Sequence, residues 1–361
     1  MILHGWQLSL YSGKARAYLR YKGIRFVEKP PRAWTLNAIR KKTGVIVMPV
    51  VETPEGEWLQ DTSHIMDVLE QRFAEAPVLP STPRQRIAAL LIEAWGDEFW
   101  LPSAMHYRWS FPDENFAMFQ REGGDNLLPF APRFVKNRLI ATAAAQMRSF
   151  LPGLGVVPAQ AATIERWTEG QLDLLEVHFA QHPYLLGSKP SYGDFGLVGP
   201  LYAHLGRDPY PKRVLMGPRP ALSAWITRMQ TPSQPKGGAF LANDEVPSTL
   251  TPVLRSIFCE FWPYLELTLA EVAKQPTPGP GRGYRRSLGE VLVPMAGRTL
   301  ARAATPFSLW MAQRPLDAYA ALTKPDRDVV DRWLATVGGE RAMRLAIRPR
   351  LKRLALHVAP E

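Results

Sequence analysis

An α/β unit, then an all-helical unit, then a mostly helical tail is the fold class predicted for this 361-residue chain. Three observations predict it. Over residues 1–76, short apolar runs alternate with amphipathic stretches in the order β α β α β β α. Strand signals then stop at the proline-bounded stretch Pro77–Pro83. Two further Pro/Gly-rich breaks, at 231–253 and 275–283, set off the last third. The predicted domains are therefore 1–76, 84–231 and a packed extension at 250–361, in line with the two or three units expected at this length.

The first element is the apolar run MILHGWQL at residues 1–8, of strand length. Ser9–Gly13 is polar and turn-like. The following KARAYLRYK places Ala15, Tyr18, Leu19 and Lys22 on one helix face, and Gly23 stops that helix. Ile24–Glu28 reads as a second strand, ended by Pro30 and Pro31, and Trp34–Lys42 as a second helix closed by Gly44. Val45–Glu52 is a β-branched run carrying Pro49, with Glu57–Leu59 as its hairpin partner. Thr62–Phe73 closes the unit as a helix with Ile65, Met66, Leu69 and Phe73 at helical spacing.

In the second unit, residues 84–101, 136–150, 160–182, 191–206 and 218–230 read as helices. Residues 103–135, rich in aromatics, Pro and Gly, read as a long irregular insertion. In the tail, 253–274, 287–304, 315–322 and 325–337 read as helical, and Arg350–Val358 suits either strand or helix. Phe258, Phe261, Trp262, Leu265, Phe307, Trp310 and Trp333 are too apolar for a disordered extension and predict packing.

Composition excludes several classes. The single cysteine, Cys259, rules out an internal disulfide framework and a thiolate metal cluster. The seven histidines show no metal-ligand spacing, so no metal is expected. No uncharged apolar run is long enough to span a bilayer, and the N-terminus lacks the pattern of a secretory signal, so a cytoplasmic setting is expected. The net charge of +11 is spread, with 18 Lys+Arg against 12 Asp+Glu over residues 233–361. Its local peak is Arg341, Arg344, Arg348, Arg350, Lys352 and Arg353. That run has no interleaved aromatics, so nucleic acid is not expected, and a solvated or self-paired face is the reading; contact with an anionic surface is the alternative.

Three motifs carry the functional reading, and a fourth supports the fold alone. Ser9-Leu10-Tyr11-Ser12 ends a strand and opens a helix; taken alone, such a serine is an N-cap. Val47-Met48-Pro49-Val50 sets a proline at the start of a β-run. Leu59-Gln60-Asp61-Thr62-Ser63-His64-Ile65 puts an acid and a hydroxyl at a helix start, a natural place to hold a carboxylate and an amine. Gly187-Ser188-Lys189-Pro190-Ser191-Tyr192-Gly193-Asp194 is a capping box, and Pro220-Ala-Leu-Ser-Ala-Trp225 follows it.

In order and interval these motifs resemble the glutathione S-transferase superfamily, over residues 1 to about 230. The resemblance is to a serine-type, bacterial-like member with a long C-terminal extension. It implies a thioredoxin-like N-terminal domain and a helical transferase domain. It implies glutathione as co-substrate and a catalytic residue at Ser9, with Tyr11 and Ser12 as alternatives at the same turn. A hydroxyl donor and a helix N-terminus would lower the thiol pKa from about 8.5 and raise the thiolate population. It implies a cis bond before Pro49, leaving the Met48 backbone to pair with glutathione. Asp61 and Thr62 stand where the family has Glu/Gln-Ser and would hold the γ-glutamyl group, with Lys42 or Lys41 near the glycyl carboxylate. Trp95, Trp100, Met105, Tyr107, Arg108 and Trp109 would wall a hydrophobic, aromatic-type second substrate, with Arg108 holding an anionic group. The implied activity is thiolate attack on an electrophile by a homodimer. The alternative is a non-catalytic interaction protein on the same fold.

Overall fold

The computed structural model describes residues 1–231 and 238–361. In chain order the elements are β1 (Ile2–His4), α1 (Leu10–Tyr21), β2 (Val27–Lys29), α2 (Ala33–Thr43), β3 (Val50–Glu52), β4 (Trp58–Gln60) and α3 (Thr62–Arg72). Helices α4 (Pro83–Glu98), α5 (Leu101–Trp109), α6 (Pro112–Leu127), α7 (Arg133–Arg148), α8 (Ala161–Phe179), α9 (Tyr192–Pro200), α10 (Pro209–Pro211) and α11 (Pro220–Gln230) follow. The tail holds α12 (Thr251–Ser256), α13 (Trp262–Ala273), β5 (Glu290–Met295), β6 (Arg298–Ala303), α14 (Pro306–Ala320), α15 (Lys324–Val337), β7 (Leu351–Leu354) and β8 (His357–Pro360).

Two compact units form, interleaved in sequence. Unit 1 contains Met1–Pro77, Ser103–Leu151 and the described part of Leu197–Gly237. Unit 2 contains Val78–Pro102, Pro152–Gly196 and Gly238–Glu361. The linear boundaries drawn from composition therefore do not coincide with the compact units. The linker expected at 231–253 is also revised. Its part at 232–237 lies outside the described residues. Beyond it, Ser188 and Ala239 exchange hydrogen bonds. The Asp244 carboxylate accepts from the Arg84 and Gln85 backbone amides at 2.8 and 2.9 Å, capping the first turn of α4.

Unit 1 is built on a four-stranded sheet in the order β2-β1-β3-β4. Strands β1 and β2 are parallel, and β3 is antiparallel to both β1 and β4. The strands are shorter than the apolar runs predicted, because the flanking residues turn away to start helices. Ser9 caps α1, and Gly23, at φ 65°, lets the chain leave it. Ala15, Tyr18, Leu19 and Lys22 are all buried, as one helix face requires.

Residues 103–135 correct the sequence reading: they are helical, not irregular. Pro112 at the first position of α6, with Asp113 and Glu114 in its first turn, starts that helix well. Gly123 and Gly124 look like breakers in sequence but are close-packing positions. A Cβ on Gly123 would lie 2.9 Å from Ile140 Cδ1, and one on Gly124 2.8 Å from Lys136 Cβ. Their absence of side chain lets α7 cross α6 closely. Trp6, Leu8, Trp109, Phe119, Ile140 and Ala144 form the buried cluster beneath.

Unit 2 centres on Trp95, Trp100 and Trp167, packed edge to face with ring centroids 4.8–5.9 Å apart. The predicted capping box forms: Ser191 donates its amide and hydroxyl to the Asp194 carboxylate at 2.8 Å each. The tail is also less helical than predicted. Residues 287–304 hold the β5–β6 hairpin, not a helix. Its turn is Ala296-Gly297, both at positive φ, and Val291, Val293 and Met295 alternate inward. Arg350–Val358 resolves as part of the β7–β8 hairpin. Within the basic run, Arg350 pairs with Asp317 and Glu361.

Unit 2 also holds a titrating group that sets a pH dependence. His178 on α8 pairs through Nδ1 with Thr249 Oγ1 at 2.7 Å. Burial first, and His182 second, push its pKa down from 6.5 to about 4. Between those values the unfolded chain binds a proton that the folded chain refuses. The resulting stability is intact above pH 6.5 and declines as pH falls toward 4, by about 3 kcal/mol. Urea midpoints measured across this range are expected to fall with acidification, and to fall less steeply in His178→Gln. An unchanged slope in that variant would assign the acid sensitivity elsewhere.

Candidate functional site

The sheet register assembles the site. His4 pairs with Val50, and Val50 with Gln60, across three adjacent strands. The C-terminal end of β1, the start of β3 and the end of β4 therefore share one edge of the sheet. Three sequence motifs are delivered there together. The turn to α1 follows β1, Met48-Pro49 immediately precedes β3, and Asp61-Thr62 immediately follows β4.

At the first of these, Ser9 is partly exposed at the N-cap of α1, and its Oγ accepts from the Ser12 amide at 3.2 Å. That use occupies a lone pair and leaves the hydroxyl proton to donate outward. Ser12 differs: it is buried, and its Oγ accepts from the Trp6 amide at 3.1 Å. It braces the turn from inside, so the structure corrects the reading of Ser12 as a residue facing a thiol. Tyr11, in the first turn of α1, is partly exposed.

At the second, the Met48-Pro49 bond is cis. Pro49 is buried and Met48 half-buried, packed against the Trp6–Trp109 cluster. At the third, Asp61 caps α3 by accepting from the His64 amide at 3.0 Å. Its backbone sits at φ 77°, ψ 129°, a region costly for any residue with a Cβ, by about 1–3 kcal/mol. Thr62 is buried at the first helical position. Lys42 and Lys41 are exposed in the last turn of α2.

Electrostatics favour anions at this edge. Two helices, α1 and α3, begin there, and neither carries an acidic residue in its first turn. Buried Lys14 donates to Ser63 Oγ beside the start of α3 at 3.1 Å, tying α1 to α3. Lys14 was not singled out in the sequence; a lysine on an amphipathic helix reads as solvated.

The predicted second-substrate walls are largely corrected. Trp95 and Trp100 belong to unit 2 and are fully buried core. Tyr107 is buried in a stack with Phe111 and Tyr210, and Trp109 is buried against Phe119. Met105 is partly buried against the same cluster. Arg108 is not available to a substrate anion. Its Nε and Nη2 meet Asp208 at 2.7 and 2.8 Å, Nη2 also donates to the Ala203 carbonyl, and Nη1 to the Leu8 carbonyl at 2.6 Å.

This bonding gives Arg108 another role, which sequence reading missed. Leu8 is the residue before Ser9, and the carbonyl of Gln7 is held by Arg207 Nη1 at 2.8 Å. Arg207 Nη2 in turn donates to both carboxylate oxygens of Glu122. Two arginines thus grip successive carbonyls of the turn that presents Ser9. His204, buried between charges, is driven well below its usual pKa by burial, then by Arg108 and Arg207. Among the described residues no group of three or more His, Cys, Asp or Glu is placed to hold a metal ion. A cavity of about 360 Å³, lined by residues such as Leu316, Met343 and Arg348, lies in unit 2 and contains none of the predicted site residues.

Residues 3–77 match the family described as glutathione S-transferase, N-terminal domain, and residues 168–228 match glutathione S-transferase, C-terminal domain. The chain thus matches both domain models of the glutathione S-transferases, in that order. It is similar to a glutathione S-transferase from Rhodospirillum rubrum, at 15% identity and TM-score 0.39, covering 68% of this chain and 96% of that one. It is similar to FzlA from C. crescentus, at 20% identity and TM-score 0.39, covering 70% and 91%. A glutathione S-transferase from Methylobacterium radiotolerans, solved with glutathione sulfonate, is similar at 18% identity and TM-score 0.41, covering 68% and 99%. No curated protein matches the chain.

Proposed function

We propose that the chain binds glutathione at the common edge of β1, β3 and β4 and delivers its thiolate to an electrophilic small molecule. The observation that carries this is the convergence there of Ser9, the cis Met48-Pro49 bond and Asp61-Thr62 on adjacent strand ends. The tripeptide has a thiol and two carboxylates, and the edge offers a hydroxyl donor, two helix N-termini and an acid for its amine. Ser9 stabilises the thiolate and takes no proton. Thr62 and the α3 amides hold the γ-glutamyl carboxylate, Asp61 the α-amine, and Lys42 the glycyl end. The thiolate attacks the electrophilic carbon, and the leaving group departs with the bonding pair. A cytoplasmic homodimer acting on a hydrophobic, aromatic-type electrophile completes the proposal.

One observation favours a second reading, a glutathione-binding protein without turnover. Five of the side chains expected to wall the second substrate, Trp95, Trp100, Tyr107, Arg108 and Trp109, are buried and committed to internal contacts. The two readings separate on one experiment. Retention on immobilised glutathione, with thioether formation from an activated aryl halide above the uncatalysed rate, supports the transferase. Retention without thioether formation supports the binding protein. Failure of the folded chain to be retained overturns both.

A further inference from the structure

The segment that presents Ser9 is a tight turn lying beyond the sheet. The β1 ladder ends at His4, and the Ser9 amide donates to the Trp6 carbonyl at 3.0 Å, which makes Gln7 and Leu8 the central residues of a four-residue turn. The Leu8 carbonyl goes to Arg108 and the Gln7 carbonyl to Arg207 Nη1 at 2.8 Å. Gln7 is held at its side chain as well. Its Oε1 accepts from the Tyr202 hydroxyl at 3.0 Å, and its Nε2 donates to Glu28 Oε2 at 3.3 Å. Glu28 in turn accepts from Arg16 Nε on α1 at 2.8 Å. Most side-chain hydrogen bonds go to backbone or water. This half-buried glutamine instead has its carbonyl and both ends of its amide fixed by side chains, two residues before Ser9.

Arg207 is anchored in its own right. Its Nη2 meets both oxygens of Glu122 on α6, at 3.0 and 2.8 Å, and its guanidinium lies 6.0 Å from the Tyr202 ring centroid. Glu122 balances its charge, so Arg207 acts on the turn through geometry more than through its field. Geometry matters at this place. A hydroxyl stabilises a thiolate only along a short, aligned hydrogen bond, and a drift of about 1 Å forfeits most of that effect.

We infer, on the glutathione reading above, that Arg207 is a positioning residue for Ser9: it fixes the Gln7 carbonyl so that Ser9 Oγ meets the sulfur, and Glu122 keeps it there. Arg207 acts through Ser9 and takes no part in the chemistry. Arg108, which grips the next carbonyl, is the poorer handle, because its loss also unpairs buried Asp208.

The test is titration of the bound glutathione thiol, followed by thiolate absorbance, in the wild type and in Arg207→Met/Glu122→Leu, and again with both in a Ser9→Ala background. The double variant removes both charges together, so no ion is left unpaired and its urea midpoint is expected to stay near that of the wild type. Its thiol midpoint is expected to rise by about one unit, a tenfold loss of thiolate stabilisation. At a pH below both midpoints, where the thiol is protonated, glutathione affinity is expected to change less than about twofold. In the Ser9→Ala background the same pair of changes is expected to leave the midpoint where Ser9→Ala alone puts it, since the effect passes through Ser9. The single Arg207→Met, which leaves the partly exposed Glu122 to water, is a second variant expected to show the same rise. A low midpoint kept in either variant, or a further rise on the Ser9→Ala background, overturns the role of Arg207 and leaves the glutathione site standing. Absence of any thiolate signal from the folded wild type with glutathione overturns the glutathione site, and this role with it.

Discussion

Replacing Arg108 by alanine is expected to lower the free energy of unfolding by about 3–5 kcal/mol. The reason is the buried pair. Asp208 is fully buried, and Arg108 supplies two hydrogen bonds to it. Removing the guanidinium leaves a desolvated carboxylate without its cation. It also strips the Leu8 and Ala203 carbonyls of a donor. Urea denaturation of the wild type and Arg108→Ala checks the magnitude. The double variant Arg108→Met/Asp208→Leu is expected to recover most of the loss, because removing both charges removes the unpaired one. A cost below about 1 kcal/mol for Arg108→Ala would place the pair among weak surface interactions and contradict its burial.

The second large effect falls on chemistry. In Ser9→Ala, glutathione-dependent turnover is expected to fall about 10- to 100-fold, the loss of one hydrogen bond to a charged sulfur. The titration midpoint of the bound thiol, followed by thiolate absorbance, is expected to rise toward about 8.5. Ser9 also caps α1, so the alanine costs about 1 kcal/mol of stability as well. Ser9→Thr separates the two contributions, since it keeps a hydroxyl at the same atom. Restoration of the low thiol midpoint by threonine assigns the effect to the donor. A midpoint equally low in Ser9→Ala would move the role to Tyr11 or to the α1 amides.

Much of the site was legible in sequence because its parts are local. Ser9 caps the helix it begins, Gly23 ends it, and Asp61 caps α3, each within a few residues of its partner. Their intervals also match a family pattern, which placed the cis bond at Pro49. What the sequence hid depends on distant partners. Arg108 and Asp208 are 100 residues apart, so nothing local distinguishes this arginine from one that waits for a substrate anion. Gly123 and Gly124 looked like a loop because their reason is Ile140 and Lys136 on the facing helix. The β5–β6 hairpin was misread because Ala296-Gly297 is a weak turn signal and the tail's helix formers dominate the window. The interleaving of the two units is a property of long-range contacts and leaves no mark in composition.

The most direct test is calorimetric titration of reduced glutathione into the wild-type chain and into Asp61→Ala. Saturable heat for one ligand per chain is expected from the wild type, with affinity lowered at least about tenfold in Asp61→Ala by loss of the amine's charge-assisted partner. No saturable heat from the folded wild-type chain would contradict a glutathione site at the edge where Ser9, Pro49 and Asp61 meet.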